Sequence, residues 1–170
     1  MARVYARPHA HSQWADHQLR VALTAQFTHA LAGRVATAAD LSCGDGAILK
    51  ALDVGTRYFG DYAPGHEFTG PIEATVEHIP NVDLFICTET VEHLDDPDLV
   101  LKAVRSKTRR LVLSTPVGAF DDANPEHFWA WDRAAVEDML RGVGFEPNVY
   151  FELAFDLCQG DYNYGVWYCK

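Results

Sequence analysis

The tightest constraint on this chain is Asp40-Leu41-Ser42-Cys43-Gly44-Asp45-Gly46, which sits between the apolar run Val35 to Leu41 and a helical pattern from Ala47 to Leu52. A buried strand must therefore turn almost directly into a helix. Glycine at 44 and 46 lets the backbone turn sharply and lets a ligand approach without a Cβ in the way. The helix that follows offers unpaired backbone amides. In open parallel sheets, ligands bind beyond the carboxyl ends of the strands, which is where such a turn lies. A second acid, Asp61, follows Asp40 by 21 positions, at the end of the next strand. A carboxylate there can accept both hydroxyls of a ribose.

Around that loop the chain alternates. Apolar residues recur at helical spacing from Ser12 to Leu31 (Trp14, Leu19, Leu23, Phe27, Ala30, Leu31), with Ser12 as a cap and Gly33 as the stop. Strands are expected at Val35 to Leu41, Thr56 to Gly60, Pro71 to Val76, Val82 to Thr88, Arg110 to Ser114, Phe145 to Leu153 and Tyr162 to Cys169. Pro116 is read as ending the fifth of them. Helices are expected at Ala47 to Leu52, at Pro97 to Ser106 with Leu99, Val100, Ala103 and Val104 inward, and at Trp131 to Arg141, closed by Gly142 and Gly144. Tyr62 to Gly70 reads as loop or one helical turn, and residues 1–11 as partly mobile. Strand–helix alternation implies a parallel sheet covered on both faces. The expected fold is therefore α/β, a three-layer doubly wound domain spanning 1–170, with an antiparallel strand near the C-terminus.

A length of 170 residues fits one domain that builds its core without disulfides or metals. The formal charge of −10 repels phosphate backbones and disfavours a nucleic-acid partner. The one dense basic run, Arg105, Lys107, Arg109 and Arg110, reads as a solvated helix end. Cys43, Cys87, Cys158 and Cys169 lack zinc-finger or redox-motif spacing, Cys43 and Cys87 read as free, small hydrophobes at strand ends, and a reducing, cytoplasmic setting is expected. No apolar run approaches the ~20 residues needed to span a bilayer, so no membrane partner is expected.

An acid followed by a Gly-x-Gly turn resembles motif I of the class I S-adenosylmethionine-dependent methyltransferases. A dinucleotide site would add a third glycine where this chain has Leu49. The resemblance covers roughly residues 35 to 153. It implies that Asp40, Ser42, Gly44 and Gly46 hold the methionine part of S-adenosylmethionine and that Asp61 holds the ribose. It places Glu73, on the expected third strand, near the adenine, and Thr88 at the reacting centre. It also implies the strand order 3-2-1-4-5-7-6. Many family members have glycine where this chain has Ser42. The spacing from Asp61 to Ile72 is short for the family, so the helix usually found there is expected to be reduced.

Glu89-Thr90-Val91-Glu92-His93 follows the fourth strand, and in a helical turn residues three and four apart share a face. Glu89, Glu92 and His93 would then meet His127, from the loop after the fifth strand, at the ligand edge. Two carboxylates and two imidazoles suit a divalent metal such as magnesium, which would orient and polarise an acceptor hydroxyl. The arrangement resembles the Glu-x-x-Glu-His plus later His of metal-dependent O-methyltransferases, both ubiquinone-pathway enzymes and small-RNA terminal 2′-O-methyltransferases. Glu-x-x-Glu-His is also common in class I methyltransferases without metal, where it holds the loop by hydrogen bonds. In that case His93 or His127 is a candidate general base.

His9, His11 and His17 cluster in a polar segment and read as solvated surface. Trp14 would pack on the sheet or close over the cofactor. Trp129 and Trp131 would wall a pocket or fill the core, and Tyr58 and Phe59 would be strand core. Asp156, Asp161 and Tyr162 fall between the last two strands. The expected activity is methyl transfer to oxygen on a small molecule. The alternatives are an RNA 2′-O-methyltransferase-like enzyme, a nucleotide-dependent oxidoreductase, and a catalytically silent member that binds cofactor or partner. Specificity would come from the first helix, the Thr115 to Trp131 loop and the last hairpin, and so light a cover leaves room for a homodimer partner.

Overall fold

A computed structural model describes residues 7–10, 15–154 and 162–170. The proposed cap Ser12, Trp14, His11, Asp156, Cys158 and Asp161 lie outside the described residues. The elements run α1 (Ala15–Ala32), β1 (Val35–Asp40), α2 (Ala47–Ala51), β2 (Val54–Asp61), β3 (Phe68–Thr69), α3 (Ile72–Thr75), β4 (Leu84–Thr88), α4 (Pro97–Lys107), β5 (Leu111–Val117), α5 (Arg133–Gly142), β6 (Pro147–Leu153) and β7 (Asn163–Cys169). Short 3-10 turns follow α3 at Val76–His78 and β4 at Val91–His93.

The seven strands form one sheet in the order β3-β2-β1-β4-β5-β7-β6. β7 runs antiparallel to both neighbours and the rest are parallel. Alternate residues feed two cores. Leu84, Ile86, Val112, Val166 and Tyr168 face Ala25 of α1 and Ile48 and Leu49 of α2. Phe85, Cys87, Leu111, Leu113 and Trp167 face Val100, Leu101 and Val104 of α4 and Val136 and Leu140 of α5. β4 and β5 are buried along their whole length, as central parallel strands must be. Gly33, at φ 62°, ends α1 with its N–H on the His29 carbonyl at 3.0 Å. Asp96 and Asp132 cap α4 and α5 by accepting the Leu99 and Ala135 amides at 3.0 and 2.8 Å.

Five local expectations are corrected. The third strand is not Pro71 to Val76 but Phe68–Thr69, inside the segment read as loop; it pairs with Gly60 and Asp61. A Cβ on Gly60 would lie 2.8 Å from the Phe68 carbonyl oxygen, so that pairing needs glycine. Ile72, Val76 and Ile79 instead bury one helical face.

Pro116 does not stop β5, which continues to Val117. Ser114 turns its carbonyl toward Glu89, on the β4 side, so Pro116 turns its nitrogen the same way, where β4 has already ended. Leu99 is 60% exposed because the buried stripe of α4 is Pro97, Val100, Leu101 and Val104. Trp131 does not open α5. It bridges Val117, and the Asp132 cap starts the helix two residues later.

The apolar stripe read on α1 is also displaced. Leu19, Leu23 and Leu31 are exposed, and the buried positions are Arg20, Thr24, Ala25 and Thr28.

Candidate active site

The order of the sheet reverses between β1 and β4, and a cavity of about 650 Å³ opens above the carboxyl ends of these strands. Residues from both ends of the chain's reading frame of motifs meet there. The glycine loop forms one wall, with Gly44 and Gly46 in left-handed conformations (φ 55° and 75°). Gly44 donates its N–H to Asp61 Oδ2 at 2.7 Å, and Ala63 donates to Asp61 Oδ1 at 2.8 Å. Each carboxylate oxygen so engaged keeps further acceptor capacity, so the loop is braced and the acid can still receive two hydroxyls.

Ser42, Gly44, Asp61, Glu73 and Thr88 line the cavity. Asp40 and Gly46 do not. Asp40 lies beneath the loop and accepts the Ser42 amide at 3.2 Å. A Cβ on Gly46 would meet the Phe59 ring at 2.8 Å, so this glycine permits the loop to fold back on β2. Glu73 reaches the cavity from the first turn of α3 rather than from a strand. The Ser42 and Thr90 hydroxyls are 2.7 Å apart, and Thr90 also donates to the Thr88 carbonyl at 3.0 Å, which joins the glycine loop to the β4 loop.

Burial raises the Asp40 carboxyl to about 7, assisted by the nearby Asp61 and opposed by the Ser42 N–H. Because the folded value lies above the unfolded one, stability is lost as pH rises from about 4 through 7. Asp40→Asn keeps an acceptor for Ser42 and cannot ionise. It is expected to gain stability over the wild type across that window, by an amount on the order of 4 kcal/mol at full extent, and to level off above it. Denaturant melts of both proteins from pH 4 to 8 check this; a constant difference would mean that Asp40 does not titrate there.

The far wall carries the acid–histidine cluster. Glu92, His93 and His127 each offer a donor atom, all within 4.8 Å of one another. Glu89 lines the same cavity but is not in this group. It adopts φ 51° and accepts the Ser114 hydroxyl at 2.6 Å. The reason is local: the turn tightens to a 3-10 geometry only from Val91, so Glu89 precedes it and does not share the helical face.

Glu92 Oε2 accepts the Thr115 hydroxyl at 2.9 Å, whereas Oε1 is buried without a hydrogen-bond partner among the described residues. Burial, then the neighbouring Glu89, pushes the Glu92 carboxyl well above the usual carboxylate range. His93 places Nδ1 2.9 Å from the Glu126 carbonyl, which directs Nε2 to the cluster; burial lowers its pKa, so the ring is neutral near pH 7. His127 Nδ1 is bonded to Asp122, whose other oxygen accepts the Tyr162 hydroxyl at 2.9 Å. Both histidines thus have one nitrogen fixed on an oxygen and the other left as a lone-pair donor.

Arg20 and Tyr164, which line this cavity, and Asp122, which stands behind His127, escape a reading of motifs. Arg20 is 1% exposed, lines the cavity, and has its guanidinium 5.6 Å from the centre of the Tyr164 ring. Its one sequence signal is the spacing to Thr24 and Thr28, a polar stripe that a buried helix face carries only with a reason. Asp122 has no comparable signal. His9 and His17 stack at 5.2 Å and line the mouth, with the His9 carbonyl accepting the Asp45 amide at 2.9 Å. Trp129 and Trp131 stack at 5.9 Å outside the cavity lining, while Phe128 and Tyr162 reach it. Tyr58 and Phe59 pack, partly buried, against the two cores. Cys43, Cys87 and Cys169 are buried, and burial pushes their thiols up, away from nucleophilic use. Among the described residues no helix is long and apolar enough to cross a membrane.

The sequence matches no family model and no curated protein. Solved structures match in fold. A 1,6-didemethyltoxoflavin-N1-methyltransferase from Burkholderia thailandensis, solved with S-adenosylhomocysteine, is 15% identical at a TM-score of 0.71, over 93% of this chain and 79% of its own. The magnesium protoporphyrin IX methyltransferase of Synechocystis, also with bound S-adenosylhomocysteine, is 14% identical at a TM-score of 0.67, over 91% of this chain and 83% of its own. A small RNA methyltransferase is 16% identical at a TM-score of 0.69; the match covers 90% of this chain and only 25% of that one. The sheet order, the one antiparallel strand and these likenesses agree: the chain has the class I methyltransferase fold.

Proposed function

We propose that the protein transfers a methyl group from S-adenosylmethionine to an oxygen of a small-molecule acceptor, with a divalent cation held by Glu92, His93 and His127. One observation carries the reading: a single cavity has the braced glycine loop and Asp61 at one end and the acid–histidine cluster at the other. Asp61 would hold the ribose hydroxyls, Ser42 and Gly44 the methionine part, and Glu73 the adenine side. The proteins solved with S-adenosylhomocysteine on this fold support the choice of cofactor.

The bound cofactor supplies a methyl on a sulfonium, which is already a good leaving group. The protein's work is then to align acceptor and methyl and to exclude water. Thr88, Thr90, Phe128 and Tyr162 line the same cavity and would flank the acceptor. The donor set fits a cation. Glu92 Oε1 is an orphaned, buried, acidic oxygen, and each histidine is oriented by an oxygen acceptor on its other nitrogen. Two imidazoles with one carboxylate suit a divalent transition ion such as manganese better than magnesium, which prefers an all-oxygen set. Such an ion would polarise the acceptor hydroxyl and ease loss of its proton. The chain's charge of −10 favours a small acceptor over a polynucleotide.

The decisive test is calorimetric titration with S-adenosylhomocysteine in chelator, followed by manganese and an acceptor screen. One-to-one micromolar binding supports the reading; no binding at high concentration removes it. Asp122→Asn tests how His127 is oriented. It is expected to lower manganese affinity by roughly ten- to a hundredfold, with nucleoside binding kept. Unchanged affinity would make the Asp122 contact merely structural.

A further inference from the structure

The residue that methyl transfer explains least is Arg20. It belongs to an 18-residue helix whose buried face is otherwise small or hydroxylic: Thr24, Ala25, Thr28. Its Nε and Nη1 are buried and have no hydrogen-bond partner among the described residues. A buried guanidinium left unpaired is costly, and native structures rarely tolerate one without a reason. The neighbours give it charge but no direct bond. Asp40 lies beneath the glycine loop on one side and Glu92 in the acid–histidine cluster on the other, and Arg20 acts to lower both carboxyls through space. The Tyr164 ring lies 5.6 Å from the guanidinium carbon and the cavity borders the group.

We infer that Arg20 is an anchor for a carboxylate group bound inside the cavity. Three features select that chemistry. The planar donors of a guanidinium match a carboxylate, which would satisfy nitrogens that no described residue reaches. A phosphate is disfavoured because a second negative charge would sit close to Asp61, Glu89 and Glu92, which line the same space. The mixed lining, one buried cation among acids, also suits a ligand end that carries an ammonium beside its carboxylate. Arg20 stands between the glycine loop and the acid–histidine cluster, so two sources can supply the group: the amino-acid end of the cofactor, or an acid on the acceptor. The inference deepens the methyltransferase reading and rests on it for the first source only.

The experiment compares wild type, Arg20→Met and Arg20→Lys by calorimetry with three probes. S-adenosylhomocysteine carries the amino-acid end. 5′-Methylthioadenosine has the same nucleoside and a thioether but no carboxylate. Benzoate, titrated into free and S-adenosylhomocysteine-loaded protein, reports an acceptor-type carboxylate. With the cofactor as source, Arg20→Met is expected to lose roughly ten- to a hundredfold in S-adenosylhomocysteine affinity and to bind methylthioadenosine within about twofold of wild type, with Arg20→Lys between them. With the acceptor as source, S-adenosylhomocysteine is unaffected and benzoate binding falls instead. If the variants match wild type with all three probes, the inference is overturned. If wild type binds neither nucleoside, the methyltransferase reading fails by itself, and the benzoate titration of free protein still decides whether Arg20 holds a carboxylate. Retained methylthioadenosine binding shows that a variant is folded.

Discussion

Asp61→Ala is expected to reduce S-adenosylhomocysteine affinity by about 3 kcal/mol, a loss of more than a hundredfold. The size follows from the double duty of this carboxylate. In the ribose role it receives hydroxyls through charged hydrogen bonds, each worth about 1.5–3 kcal/mol. It also braces the loop that carries the other contacts, because it accepts the Gly44 and Ala63 amides at 2.7 and 2.8 Å. Removing it leaves two buried N–H groups unpaired, so the loop loses its set before any ligand arrives. Asp61→Asn separates the duties. It can keep one amide acceptor but presents an N–H where the other amide and a hydroxyl need an oxygen. Calorimetry on both variants, with a denaturant melt of each, reads binding and stability apart. Wild-type affinity in Asp61→Ala would place the ribose elsewhere.

The second large effect is expected at Glu92. Glu92→Gln keeps a carbonyl oxygen for Thr115 and removes the cluster's single anionic donor. Manganese affinity, read by the spectrum of the free ion, is expected to fall by at least a hundredfold, on the order of 3 kcal/mol. S-adenosylhomocysteine binding in chelator should be unchanged. Thermal stability without metal should hold or rise, because a buried carboxyl with an orphaned oxygen is an expensive group to keep. Loss of stability with unchanged manganese affinity would return Glu92 to the role of a loop tie between β4 and β5.

These two residues also mark how far the sequence is legible. The place of Asp61, at the end of β2 and on the cavity wall, could be read because its signal is local: an acid at the end of a short strand that follows a glycine turn. β4 and β5 were equally plain, since strands covered on both faces must be apolar throughout. β3 could not be read, because two residues have no periodicity, and what makes it possible is the bare Cα of Gly60 opposite it. The segment after it misled for a related reason. Ile72, Thr75 and Val76 are β-branched, yet tertiary packing of Ile72, Val76 and Ile79 on one face overrides that preference.

On α1 the hydrophobic pattern pointed the wrong way. Leu19, Leu23 and Leu31 turn out, because Arg20, Thr24 and Thr28 are the residues turned inward. In the acid–histidine cluster, three of four expected members converge and Glu89 stands apart. One-letter spacing cannot tell a 3-10 turn from an α-turn. Asp122 fixes His127 from within the same loop, a contact set by how the loop folds on itself and by Tyr162 from the far end of the chain.

The two rims of the sheet have a consequence for how the protein behaves when concentrated. An open sheet ends in rows of unpaired amides and carbonyls, the template on which chains add to one another edge to edge. On one side β3 is only two residues long and covers just Gly60 and Asp61 of β2, so among the described residues no strand pairs with Val54 to Phe59 on their outer side. On the other side β6 begins at a proline and shifts register between Pro147 and Val149, which bends it away from a flat partner, and it carries Glu152 farther along. Mutual repulsion from a charge of −10 acts in the same direction. Strand-mediated association is thus obstructed at the β6 border, and the outer side of β2 between Val54 and Phe59 is where it would begin.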